Sequence, residues 1–182
     1  MAQRNRGFTV TAISEADFVD ITELRVLLEP HALERSAPNL TEGDLKQALS
    51  ALKRSSKTKD LMERASLHWD FHRILYSKCG RPRLIAQVAH LHLGINRYMM
   101  PMWTRHGLSE DWDESHEGIV EAIRTGRIDA AKRIVVDQIV DAQHRVLGAI
   151  VRARRLKEHV RDTDDRLQGH KGAHLRLLRH AH

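Results

Sequence analysis

His68, His72 and His116 are the residues of this chain whose type and spacing could do chemistry. In DLMERASLHWDFHRILY, the residues Leu61, Ala65, His68, His72 and Leu75 fall on one stripe of a helix, because side chains three and four positions apart share a face. In SEDWDESHEGIVEAIRTG, Trp112, His116, Ile119 and Ile123 do the same. Imidazoles at i and i+4 can reach one ion, and a third from another helix can complete a facial set. An inward imidazole must find a partner, since an unpaired polar group is costly to bury. One such residue alone reads as a core histidine bonded to a neighbour. The pair plus a third leaves two equal readings, a metal or polar-ligand cavity and a set of satisfied core histidines.

Two arginines stand on comparable stripes. Arg25 lies with Ile21, Leu28 and Ala32, and a guanidinium facing a core wants an anion that it can fork onto. The plainer alternative pairs it with an acidic neighbour such as Glu29, or lets its stem snorkel outward. Arg97, with His90, Leu93 and Met100, is the second candidate, and Asn96 beside it falls on a solvated flank. Other constellations fail. H-E-G-I-V has Val120 where a zinc protease helix needs its second histidine, and no nucleophile elbow, P-loop or dinucleotide fingerprint occurs. Glu117 and Glu121 flank His116 off its inward stripe, so no general base is evident for metal-assisted hydrolysis.

The elements that must position these groups are helices. Ser14 caps the first, whose apolar stripe is Ile21, Leu24, Leu28 and Ala32, with Pro38-Asn39 closing it. Thr41 caps the second, with Asp44 at the third position and a polar connection over Lys53 to Lys59. The His68/His72 helix runs from about Asp60 to Lys78 and ends at Cys79-Gly80, where glycine can take a left-handed cap. Pro82 suits the first turn of the next, which spans Leu84 to Met100 and is interrupted by Pro101, leaving Met102 to Leu108 as a loop. Ser109 starts the His116 helix and Gly126 ends it. Asp129 begins the last, with Val135, Gln138, Ala142 and Val146 on one stripe that fades after Val151. Phe8, Val10 and Ala12 alternate with threonines as a short strand does. The expected fold is all-α, an antiparallel bundle of six or seven helices with a short N-terminal strand.

Composition supports one domain large enough to bury a core. Of 182 residues, 41% are hydrophobic, 30% charged and only 4% aromatic, which disfavours a β-sandwich or barrel. No apolar run is long enough to cross a bilayer, no signal-peptide core is present, and a single cysteine fits a reducing compartment, so a cytoplasmic location is expected. The net charge of +6 is unevenly placed: Arg152 to His182 holds nine Lys/Arg against four Asp/Glu, while the rest has 21 against 20. The body therefore carries no basic stripe for DNA. The tail, residues 152–182, with five of the thirteen histidines, reads as a frayed helix followed by disorder.

FVDITELRVLLEPHALERSA, HWDFHRILYSKCGRPRLI and ESHEGIVEAIRTGRIDAAKRIV, in that order, resemble the effector-binding C-terminal FCD domain of the FadR subfamily of GntR transcription regulators. The resemblance spans roughly Ile13 to Val151, so residues 14–151 form the ligand-binding bundle. RGFTVTAIS is similar to the last wing strand of that family's winged helix-turn-helix, which makes residues 1–13 a remnant of it. The resemblance implies a cavity for a small carboxylate, often with a divalent metal, and dimers that clamp operator DNA. It places the family's metal-binding Asp at His68 and its three histidines at His72, His116 and Gln138. Two positions match and two differ, and Gln138 would serve as a weak or water-mediated ligand. Asp70 lies on the far side of the helix and does not substitute. Three imidazoles still suit zinc or nickel with open positions for a carboxylate. The resemblance also gives Arg25 the role of contacting the acidic effector.

The leading expectation is the ligand-sensing, dimerising half of a bacterial transcription regulator, not an enzyme. Its partners would be a small carboxylate metabolite and a second copy, with no membrane. Operator DNA joins only if a longer chain supplies the winged helix-turn-helix, the sequence being a fragment or the product of a truncated gene. The competing expectation is a metal-dependent helical-bundle enzyme with a three-His site, and a third is a remnant that only dimerises.

Overall fold

A computed structural model describes residues 14–109 and 111–178, with side chains as far as Leu156. Six α-helices make up the described residues: α1 Glu15–Ser36, α2 Glu42–Lys57, α3 Leu61–Tyr76, α4 Pro82–His106, α5 Trp112–Arg124 and α6 Ile128–Leu178. A 3-10 turn, Ala37–Asn39, joins α1 to α2. The fold is the all-α bundle that the periodicity predicts. The strand expected over Phe8 to Ala12 lies outside the described residues, which themselves contain no strand.

Local chemistry sets the helix starts. Ser14 Oγ accepts the Asp17 amide at 3.3 Å. Thr41 and Asp44 form a reciprocal capping box, and Asp60 Oδ1 accepts the Met62 and Glu63 amides at 2.8 and 3.3 Å. Such caps satisfy amides that a first turn leaves unpaired. Gly80, at φ 66°, takes the left-handed conformation that lets the chain leave α3.

Three helices run longer than predicted. α2 reaches Lys57, because Ser55 turns inward, donates from its hydroxyl to the Arg64 carbonyl at 3.2 Å and accepts Arg64 Nε on its own carbonyl at 3.2 Å. α4 passes through Pro101 to His106. Proline costs the helix one backbone bond, but Trp103 beyond it is buried, and that burial holds the following turn in register. α6 continues past Val151 in regular helix to Leu178.

The chain divides into two compact units, Met1–His144 and Arg145–His182. The first contains α1 to α5, the start of α6 and the core built on Leu33, Leu45, Leu52, Phe71, Leu75, Val88, Ile119 and Val135. The second carries the remainder of α6.

Within the first unit α2 packs on α3 and α5, and α3 packs on α1 and α4. α1 and α4 run antiparallel. Ser14 meets Tyr98, Asp17 meets Arg97, Ile21 meets Gly94 and Arg25 meets His92, so the numbers rise on one helix as they fall on the other. The inward face of α1 is Phe18, Thr22, Arg25, Glu29, Leu33 and Ser36. Leu24, expected on its apolar stripe, is exposed instead. Polar residues take the inner face because they have partners there.

Candidate metal and effector site

α3 contributes two adjacent turns and α5 one. His72 and His116 are buried and His68 half-buried, and their ligand atoms all lie within 4.8 Å of one another. His68 Nε2 stands 3.1 Å from His72 Nε2 and 3.1 Å from His116 Nε2. Imidazole nitrogens bound to one zinc-sized ion at its usual bond length are separated by roughly 2.9–3.4 Å. Phe71, Trp103 and Trp112 wall the cluster, with ring centroids 4.6 Å apart for Trp112 and His116, and 6.2 Å apart for Trp103 and His68.

Proton counting decides what these nitrogens present to each other. The Trp112 carbonyl accepts a hydrogen bond from His116 Nδ1 at 2.6 Å, which puts that ring's proton on Nδ1 and a lone pair on Nε2. Tyr76 donates its hydroxyl proton to Glu29 Oε2 at 2.8 Å and lies 3.3 Å from His72 Nδ1. The phenol has one proton and has given it away, so His72 Nδ1 is the donor in that contact and its Nε2 too is a lone pair. His68 Nε2 sits between two lone pairs and can donate to only one of them. At least one lone pair of the trio therefore lacks a proton to face it, and a cation would satisfy all three.

Electrostatics keep the rings neutral. Burial first, then the neighbouring imidazoles, hold His68 and His72 well below the ordinary imidazole value. Burial pushes His116 down to about 4, against the opposing pull of the Trp112 carbonyl and of Asp113 and Asp111. Neutral imidazole is the form that binds metal.

Arg25 is buried, but its counter-charge is internal: Nε donates to Glu29 Oε1 at 2.5 Å. This is the pairing with Glu29, one turn away on the same helix, that the sequence offers as the plainer alternative. The same oxygen takes His92 Nε2 at 3.1 Å. Burial alone would raise the Glu29 carboxyl, and Arg25 and then His92 outweigh it, holding the group well below the usual carboxylate range. With His92 Nε2–H directed at Glu29, that nitrogen cannot also accept from Arg25 Nη2, 3.4 Å away.

Arg97 stands elsewhere on α4. It pairs with Asp17, and its guanidinium carbon lies 4.9 Å from the centroid of the Tyr98 ring. Its predicted stripe is corrected to the opposite side of α4: His90 and Leu93 are exposed, and the buried set is Val88, Leu91, His92, Ile95, Tyr98 and Trp103. Gln138 engages Ser115 Oγ with its amide nitrogen at 3.1 Å, one residue before His116. Asp70 is bonded to Arg73 on the outer face of α3. Glu117 and Glu121 are exposed.

Sequence reasoning passed over His92 and Tyr76. The signal for His92 was the recurrence of Val88, Leu91, Ile95 and Tyr98 around it at helical spacing. Tyr76 follows His68 and His72 at the next i+4 position on α3. Trp112 Nε1 adds a buried donor with no hydrogen-bond partner among the described residues, on a ring packed against His68 and His116.

A family model described as the FCD domain matches residues 20–141. No curated protein matches the chain. A crystal structure of a transcriptional regulator, a GntR family member from Pseudomonas syringae pv. tomato str. DC3000, has a TM-score of 0.71 at 22% identity. The match covers 79% of this chain and 60% of that one. At this identity the likeness speaks for the fold.

Proposed function

The chain belongs to the FCD domain family, whose members are non-enzymatic regulatory domains, and from that premise we propose that it is the ligand-sensing and dimerising part of a bacterial GntR-type transcription regulator. Its ligand in this reading is a small carboxylate metabolite, held partly through a divalent ion, zinc or nickel. The observation that carries the reading is the trio of facing Nε2 atoms on His68, His72 and His116, which has fewer protons than lone pairs to fill. Regulatory membership sets the alternative of a metal-dependent enzyme aside.

When bound, the ion would supply positive charge and open positions for a carboxylate oxygen. His68 and His72 from α3 and His116 from α5 hold it. Gln138 adds a weak or water-mediated contact from α6. Arg25 is the second anchor. Its Nε edge is committed to Glu29, so the effector meets the Nη end. Arg97 is the lesser candidate, since Asp17 already occupies it. The Trp112 Nε1–H, without a partner among the described residues, offers a further donor beside the imidazoles. Effector binding would favour one packing of the bundle over another and so set the spacing of DNA-binding heads.

This chain spans 60% of the length of the regulator chain it is similar to. In this reading operator DNA is a partner only where a longer chain supplies a winged helix-turn-helix. Dimerisation is supported by exposed leucines on the antiparallel pair α1 and α4: Leu27 is 70% exposed and Leu93 71%. No helix among the described residues is long and apolar enough to cross a membrane, and a regulator of this kind works in the cytoplasm.

The test is metal analysis with thermal shifts. Protein purified without chelator should hold near-stoichiometric zinc or nickel, and His72→Ala should lose it. Small carboxylates should raise the melting temperature, less so after chelation. Absence of both metal uptake and carboxylate shifts would overturn the reading, and light scattering that gives a monomer mass would remove dimerisation from it.

A further inference from the structure

Behind His72 runs a continuous line of buried polar contacts that ends on Arg25. Arg25 Nε meets Glu29 Oε1 at 2.5 Å, Glu29 Oε2 meets Tyr76 OH at 2.8 Å, and Tyr76 OH meets His72 Nδ1 at 3.3 Å. Tyr76 and Glu29 are completely buried and His72 is 2% exposed, so no water competes at these contacts. α1 supplies the first two residues and α3 the last two.

We propose that Glu29 and Tyr76 are positioning residues that fix His72 as the Nδ1–H tautomer, with its Nε2 lone pair aimed into the histidine cluster. The proposal deepens the metal reading above and rests on it for its purpose, though not for its geometry. Each step dictates the next. Arg25 and His92 hold Glu29 as an ionised, acceptor-only carboxylate. Such a carboxylate takes the phenol proton. The phenol oxygen then has only lone pairs left for His72, and Nδ1 must bring the hydrogen. A histidine that donates from one nitrogen to a fixed acceptor presents the other as a ligand, and loss of that outer partner weakens metal binding about 10–100-fold. His116 is fixed in the same tautomer by a backbone carbonyl. His72 is fixed by side chains, and those side chains reach the arginine assigned to the effector. Arg25 is thus joined to a metal-binding imidazole through two intermediate residues.

A purely structural Tyr76 would fill space and stabilise the fold without controlling where the His72 proton resides. The experiment separates the two. Long-range proton–nitrogen NMR on the chelator-stripped full chain, labelled with ¹⁵N, should show His72 protonated at Nδ1. In Tyr76→Phe the same ring should shift to a mixture or to the Nε2–H form. Competition with a chromophoric chelator should show Zn²⁺ bound about 10–100-fold more weakly by Tyr76→Phe. Leu52→Ala, which unsettles the core away from the line, should change Zn²⁺ affinity less than twofold. An Nε2–H tautomer in the parent would overturn the proposal, as would a Tyr76→Phe variant with unchanged tautomer and affinity. A parent that takes up no Zn²⁺ overturns the metal reading instead, and the tautomer measurement then decides this proposal by itself. Should Tyr76→Phe fail to fold, the parent's tautomer still decides it.

Discussion

Arg25 and Glu29 sit one turn apart on α1 and meet at 2.5 Å where neither is more than 6% exposed. Each is the reason the other can be buried. A charge stranded in such a place by loss of its partner destabilises a protein far more than the intact pair stabilises it. Arg25→Ala should therefore cost about 3–5 kcal/mol in urea denaturation. Replacing Arg25 with Met and Glu29 with Leu together should recover little of that loss, because the buried Tyr76 hydroxyl and His92 Nε2–H then lose their acceptor. A single variant that loses less than about 1 kcal/mol would mean Glu29 finds its charge compensated elsewhere.

Arg25→Lys isolates ligand recognition from stability. Lysine keeps a positive charge beside Glu29 but cannot present a planar fork to a second carboxylate. The variant should stay folded and bind the carboxylate found by thermal-shift screening measurably more weakly than the parent. Calorimetry on the two proteins checks this, and equal affinity would shift the second anchor towards Arg97.

Acid should loosen the metal-free protein through its histidines. His116 is held at about 4 in the fold, against an ordinary 6.5. Between those values the unfolded chain binds the extra proton and the native state does not. The contribution is present in full above pH 6.5 and is lost as pH falls through about 4. For His116 alone it is roughly 3 kcal/mol, and His68 and His72 act in the same direction. Urea midpoints of chelated protein should drop between pH 7 and pH 5. A flat profile would mean that the cluster already carries a proton at neutrality.

Leu75 is fully buried in the core shared by α2 and α3. Leu75→Ala should cost about 2–5 kcal/mol, the transfer and cavity terms together. Calorimetric melting of parent and variant measures it, and a loss under 1 kcal/mol would mean that the site collapses around the smaller residue.

The sequence makes the three histidines legible because each sits on a helix whose remaining inward positions are plainly apolar. Ser14, Thr41 and Gly80 are legible for a similar reason, since capping is local chemistry and needs no tertiary partner. α1 is harder. Its inner face holds Thr22, Arg25, Glu29 and Ser36, so hydrophobic periodicity selects Leu24, which faces outward. Only the partners on α3 and α4 show why the polar face is the buried one. His92 is obscured by His90 two residues earlier, since the two lie on opposite sides of α4 and only packing against α1 selects between them. Pro101 reads as a helix break until the burial of Trp103 is known.

α1 has one more property, which its numbering makes plain. Successive residues of a helix turn by about 100°, so Leu27 lies about 180° from the midpoint between Arg25 and Glu29. The outermost leucine of this helix thus stands directly behind its innermost ion pair, with only the backbone cylinder separating the two. Among the described residues Leu27 is 70% exposed, so no layer of their side chains covers it to absorb a displacement. Any turn of α1 about its axis that re-aims the guanidinium swings Leu27 through the same angle on the outside of the bundle.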